Sequence, residues 1–290
     1  MMLPRFSLIL FSLLFPAIGQ AFYQWQGDDT SIELRGLVSG LGLALNNAND
    51  ELLFADDKLI TGGISGRLML DANFSSLSFE MHAEQSVIDN ELRTGGSRIT
   101  PAAGAERSDA LHWRYANEHA DLVIDRLNLQ YSTDRVTIKL GRQPINLAST
   151  FYFTPNDFFA PFAAQTFFRQ YKSGVDAARV NWQWGEFSQL AVMAVVDYKS
   201  ETSNTGWSTS PDWSETSYLA RASTLLESFE WAGLIGKVKG DDIIGLDFQG
   251  EVFEWLGVRG EGHIRFPDEQ GQDLDVKFSL GLEHRFENTL

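Results

Sequence analysis

Residues 272–286 have the sequence QDLDVKFSLGLEHRF, in which apolar and polar side chains alternate. Every second position from Leu274 to Leu282 is apolar, and most positions between Asp275 and Arg285 on the other parity are charged. Successive side chains of a β-strand point to opposite faces, so one face of this strand is apolar and the other is charged. The pattern recurs along the chain and predicts an outer-membrane β-barrel, with lipid outside and a polar lumen inside.

The first 21 residues have the features of a secretory signal peptide. Arg5 gives a positive start, residues 6–15 form an apolar core, and small residues precede a cut after Ala21. A membrane-spanning helix needs about 20 apolar residues, and this apolar run is shorter. We therefore predict a signal peptide at residues 1–21, a transmembrane β-barrel domain at residues 22–290, and export to the cell outer membrane.

The composition excludes several classes of protein. Asp and Glu number 39 against 23 Lys and Arg, and the formal charge of −16 argues against a nucleic-acid partner. The absence of cysteine excludes disulfides and thiol chemistry. Aromatic residues, with 21 Phe and 8 Trp, are plentiful enough for the interfacial girdles of a membrane barrel.

Alternating segments predict an all-β fold, an antiparallel transmembrane β-barrel of about twelve strands. The predicted strands are residues 32–45, 64–74, 77–83, 127–131, 136–140, 178–184, 188–198, 218–226, 229–238, 244–252, 256–266 and 274–286. Tight turns such as residues 75–76 and 227–228 alternate with long connections such as residues 87–119 and 144–173. Short periplasmic turns and long outer loops are typical of bacterial barrels.

The number of strands stays open at the end of the chain. Four residues follow Phe286, where barrels of this kind usually end on an aromatic residue. One interpretation is a complete twelve-stranded barrel with a short overhang, and the other is a chain truncated from a larger barrel. An unclosed barrel leaves an unpaired strand edge in lipid, which is costly.

The segment 144–173 is long, rich in phenylalanine, and interrupted by Pro144, Pro155 and Pro161. Loops of this length are usually functional or disordered, and this one is too aromatic for disorder. We predict that it folds inward as a constriction loop. The alternative is a loop that packs on the outer rim or covers a neighbouring subunit.

Charged side chains in and around this segment are the candidates for lining a pore and contacting a solute. They are Arg126, Arg135, Lys139, Arg142, Asp157, Arg169 and Arg179. Basic residues on neighbouring strands can create a transverse field that orients a solute, although they also serve simply to solvate a polar wall. Arg142 has lipid-side parity if the strand is regular, so a bulge or an exit from the strand is required to turn it inward.

The residues around 125–176 resemble those of a group of Gram-negative outer-membrane porins, and alginate-export-like porins are the most similar. The resemblance rests on Gly141-Arg142-Gln143, on PNDFF with Pro161 (residues 155–161), and on YKSGVD (residues 171–176). It implies a diffusion channel for small anionic or neutral solutes. Family members are often longer than this chain, which favours truncation.

The leading functional prediction is therefore a porin for passive diffusion of small hydrophilic solutes, in contact with outer-membrane lipid. A second interpretation is a barrel that serves as a sleeve for a periplasmic or export partner. A barrel hydrolase is less favoured, because no Gly-x-Ser-x-Gly is present and Ser279 and His284 face opposite sides. We expect no enzyme activity, no catalytic residue and no cofactor. The histidine spacing predicts no metal, and the sequence leaves open whether the protein is a homo-oligomer.

Overall fold

The computed structural model describes residues 20–46, 58–88, 109–114, 120–161, 171–200, 207–253, 255–268 and 271–284. The strands are β1 (Gln20–Gln26), β2 (Thr30–Asn46), β3 (Lys58–Phe74), β4 (Leu77–Ile88), β5 (His112–Arg114), β6 (Ala120–Ser132), β7 (Val136–Gln143), β8 (Val175–Gln183), β9 (Ser188–Ser200), β10 (Trp207–Leu226), β11 (Phe229–Val238), β12 (Asp241–Val252), β13 (Leu256–Phe266) and β14 (Asp275–His284). One 3-10 turn, Asp109–Leu111, precedes β5.

The strands form one antiparallel sheet in which neighbours along the chain are neighbours in the sheet. The short strand β5 lies off this path and pairs with β6. The predicted all-β antiparallel fold is confirmed, and β1 and β5 are added to the twelve predicted strands. The sequence hides β1 because a register shift between Ala21 and Tyr23 interrupts its alternation, and it hides β5 because three residues show no period.

The sheet has a charged face and an apolar face. Residues that pair directly across strands lie on the same face, so the charged face runs from Arg67 and Glu84 through Lys139 and Arg179. The apolar face carries large exposed side chains, among them Leu280 and Leu282 of β14. Within β14 (Asp275–His284) the alternation therefore produces a strand with one charged and one apolar face, as the sequence predicts.

Short turns join strands at one end of the sheet, at residues 75–76 and 227–228 as predicted. At the other end the hairpins extend beyond the predicted strands. The pairing of β2 with β3 continues to Asn46 and Lys58, and β9 pairs with β10 as far as Ser200 and Trp207. Backbone pairing continues there after the apolar alternation has faded, so the pattern underestimates the strand length.

Within the described ranges, β1 pairs only with β2 and β14 only with β13. The same ranges contain no helix that combines the length and the apolar character needed to span a bilayer. Of the predicted signal peptide, residues 1–21, residues 1–19 lie outside the described residues, and Gln20 and Ala21 belong to β1.

Candidate functional site: a loop docked on the charged face

Residues 144–161, here called the docked loop, pack against the charged face of the sheet. Ile145 and Phe159 of this loop are completely buried. They belong to a hydrophobic cluster whose other buried members are Leu147, Ala160, Val175, Ala177, Ala191, Met193, Val195, Leu219, Leu234, Val238 and Ile243. The strands β8 to β12 thus carry apolar side chains on the charged face at the place where the docked loop covers it.

The Glu261 carboxylate of β13 anchors the backbone of the docked loop. It accepts hydrogen bonds from the backbone amides of Ser149, Thr150 (2.9 Å) and Asn156 (3.1 Å). The Ser149 hydroxyl donates to Asp247 of β12 at 2.8 Å. Glu261 is 4% exposed, and a buried carboxylate is costly unless donors such as these surround it. The three amides therefore fix the loop and satisfy the charge together.

The docked loop extends from β7 across the charged face to β12 and β13. Farther along the chain, Tyr171 and Lys172 lie beside β3 and β6. There the Lys172 carbonyl accepts a hydrogen bond from Arg126 of β6 at 2.5 Å. The Arg67 guanidinium lies 4.4 Å from the centre of the Tyr171 ring. An ion pair between Lys172 and Asp157 joins Lys172 to the docked loop. Residues of the docked loop and Lys172 therefore contact β13 and β6, respectively.

The ion pair of Asp157 and Lys172 is buried, and burial shifts the pKa values of both groups. Burial raises the pKa of the Asp157 carboxyl above its ordinary value, Lys172 opposes the rise, and the Glu261 carboxylate adds to it. Burial lowers the pKa of the Lys172 ammonium, and Asp157 opposes that change. Both shifts have the same physical origin, since removal from water disfavours the charged form of each group.

Arg142 lies in a buried ion pair of its own. Gly141, at φ +111°, precedes it, while the pairing of β7 with β6 and with β8 continues through Arg142 without the register shift of a bulge. The Arg142 guanidinium donates two hydrogen bonds to Asp176, at 2.9 and 2.8 Å, and Tyr198 donates a third to the same carboxylate at 2.8 Å. Arg142 is 2% exposed, so its geometry is that of a structural pair, and contact with a solute stays a prediction.

The other predicted pore-lining residues have different surroundings. Lys139 donates to Glu80 at 2.8 Å, whereas the Arg179 Nε donates to Asn181 at 2.9 Å. Arg135 is exposed beside the short turn that precedes β7. Arg169 lies outside the described residues. Of the seven candidates, the structure brings Arg126 and Asp157 together, because each of them contacts Lys172.

Beyond the docked loop, the charged face of β2, β3, β4, β6 and β7 carries linked ion pairs, and we call this region the ion-pair half. Arg67 is bonded to Asp125 at 2.6 Å and also to Glu84. Asp71 accepts from Arg35 at 2.5 Å and contacts His82 at 2.9 Å. These strands keep the polar, charged face that the sequence predicts for the lumen.

The sequence did not identify Asp247 and Glu261 as the residues that hold the docked loop. It also missed the hydrophobic cluster. A signal was available in β9, where residues 191–196 read AVMAVV and are apolar on both faces. A strand that is apolar on both faces is covered on both faces, so this run indicates that something packs on the inner side.

No protein-family model matches this chain, and none of the curated proteins compared with it matches either. The resemblance of the residues around 125–176 to outer-membrane porins therefore remains an expectation from the sequence.

Proposed function

We propose that this protein is an outer-membrane porin that allows passive diffusion of small hydrophilic solutes through a β-barrel. In this proposal the apolar face of the sheet contacts lipid and the charged face surrounds the solute path. The segment 144–173 narrows that path. The observation that carries the proposal is the docked loop, which is anchored at Glu261 and lies on the charged face.

The apolar face supports the membrane location. Phe278 is 78% exposed, and Leu280 and Leu282 on the same face of β14 are also well exposed. In water such a surface is unfavourable, whereas in lipid it is the expected exterior of a barrel.

The position of the docked loop favours a selective channel over a sleeve for a protein partner. A sleeve needs an open interior, but here the loop bridges from β7 to β13 across the charged face. Polar groups remain on the ion-pair half, where Lys139 and Glu80 retain partial exposure. Small hydrophilic solutes are the class that fits a narrowed path with a polar wall.

Single-channel conductance of the refolded mature chain in a planar bilayer tests this function. The informative variant is Glu261→Gln, because the two carboxylate oxygens accept from different amides, so either amide rotamer places an NH₂ group against a backbone N–H. Glu230→Gln is the control, since Glu230 is also on the charged face but contacts Gln249 and Arg221 rather than the loop.

We expect discrete current steps from the wild-type protein and larger or noisier steps from Glu261→Gln, with no change in the control. An absence of steps from well-folded protein contradicts the porin function. Identical steps from wild type and Glu261→Gln contradict the narrowing role of the docked loop.

A further inference from the structure

The tip of the docked loop displays three consecutive aromatic residues. Phe151 is 53% exposed, Tyr152 84% and Phe153 55%, and Tyr152 has the highest value among the large hydrophobic residues of the described chain. Most exposed apolar residues of the strands alternate and share the apolar face, where lipid explains them. This explanation fails for the loop tip, because its backbone is bonded to the charged face at Glu261.

The tip is held in a fixed conformation. The Thr150 hydroxyl donates to the Phe153 carbonyl at 2.7 Å and closes a turn around the aromatic residues. Arg259 of β13 donates to the Ser149 carbonyl at 3.1 Å, and its guanidinium lies 4.0 Å from the centre of the Phe151 ring. A cation at this distance fixes the orientation of an aromatic ring. The aromatic side chains are therefore presented by a rigid support.

The charges beside the tip are compensated within the protein. Arg259 pairs with Glu283 at 2.8 Å, and Asp247 pairs with Arg221 at 2.7 Å. The Glu261 carboxylate is satisfied by backbone amides of the docked loop. Aromatic rings surrounded by compensated charge offer apolar contact and no strong attraction for an ion of either sign.

We propose that Phe151, Tyr152 and Phe153 form a stacking platform that binds uncharged solutes containing a ring with apolar C–H faces, such as a pyranose sugar. The proposal rests on the porin function and makes it more specific, because it assigns the solute preference to three side chains. Ring solutes bind transiently at the platform while acyclic solutes of the same size pass without binding.

The test compares methyl glucoside with sorbitol, two uncharged polyols of similar size of which only methyl glucoside contains a closed ring. Single-channel current is recorded while either compound is added at matched concentrations. We expect methyl glucoside to reduce the wild-type current to a saturating level, and sorbitol to reduce it only in proportion to the viscosity of the solution.

Variants assign the effect to the platform. Tyr152→Ala combined with Phe153→Ala is expected to weaken the block by methyl glucoside by about tenfold, as expected for the loss of aromatic ring contacts. Tyr152→Phe keeps the ring and should retain the block. Phe278→Ala is the matched control, because this exposed phenylalanine lies on the apolar face of β14.

The outcomes separate this inference from the porin function. Normal current steps with equal effects of the two compounds overturn the platform and leave the porin intact. A saturating block that survives the double alanine variant also overturns the platform, because the binding site then lies elsewhere. A folded protein without current steps overturns the porin function and the platform with it.

Discussion

The charged face of the sheet is built in two different ways. Across β8 to β12 it carries the hydrophobic cluster, with Met193 and Leu234 buried under the docked loop. Across the ion-pair half it carries linked charges, such as Arg67 with Asp125. The pleat places both sets of residues on one face, so alternation alone does not distinguish them. The difference is whether another segment covers the strands, and it predicts different responses to mutation, salt and pH.

The largest effect on stability is expected in β8 to β12, where the docked loop covers the charged face. Phe159→Ala removes a completely buried ring from the hydrophobic cluster and should reduce the free energy of unfolding by about 3–5 kcal/mol. Urea unfolding in detergent, followed by tryptophan fluorescence, measures the change. Phe278→Ala on the apolar face is the control and should cost clearly less. Equal losses of unfolding free energy in the two variants would show that Phe159 does not belong to a stabilising hydrophobic core.

In the ion-pair half, Arg67→Met should cost about 3 kcal/mol, because it leaves buried Asp125 without its closest cation. Arg126, at 3.5 Å from the same carboxylate, limits the loss. Adding Asp125→Asn should restore part of the stability, because no uncompensated charge then remains. If the double variant is no more stable than Arg67→Met alone, the loss comes from packing rather than from charge.

A smaller effect is expected for Lys139→Met, whose ammonium pairs with the partly exposed Glu80. The loss should be about 1 kcal/mol at low salt and should shrink as salt screens the pair. For the hydrophobic cluster under the docked loop, the loss of unfolding free energy in Phe159→Ala should stay constant over the same salt series. This distinguishes the cluster from the ion-pair half. A salt-independent loss at Lys139 would argue against a solvent-accessible wall in this half.

The sequence predicts the sheet well and the site only in part. Alternation and turn residues identify the strands, because burial on one face is a local property of each strand. The anchoring of residues 149–156 on Glu261 joins positions more than 100 apart in the chain, and no local pattern contains that pairing. Arg142 shows the same limit, because its ion-pair partner Asp176 lies in another strand.

The smallest predicted effect is a pH dependence at Asp157. Its folded-state pKa is raised above the unfolded value, so its contribution to stability is complete below the ordinary aspartate value of about 4. That contribution is lost as the pH rises through the higher folded-state value. The free energy of unfolding of the wild type should therefore fall, relative to that of Asp157→Asn, as the pH rises from about 4 through the folded-state pKa of Asp157. Parallel pH profiles for the two proteins would contradict the raised pKa.

The most direct test of the account uses the absence of native cysteine. Tyr152→Cys introduces a single thiol at the exposed tip of the docked loop, and a bulky charged thiol reagent is added during single-channel recording. We expect a stepwise, irreversible fall in current from Tyr152→Cys and no fall from Phe278→Cys on the apolar face. An unchanged current after complete labelling of Tyr152→Cys would mean that the docked loop lies outside the conducting path.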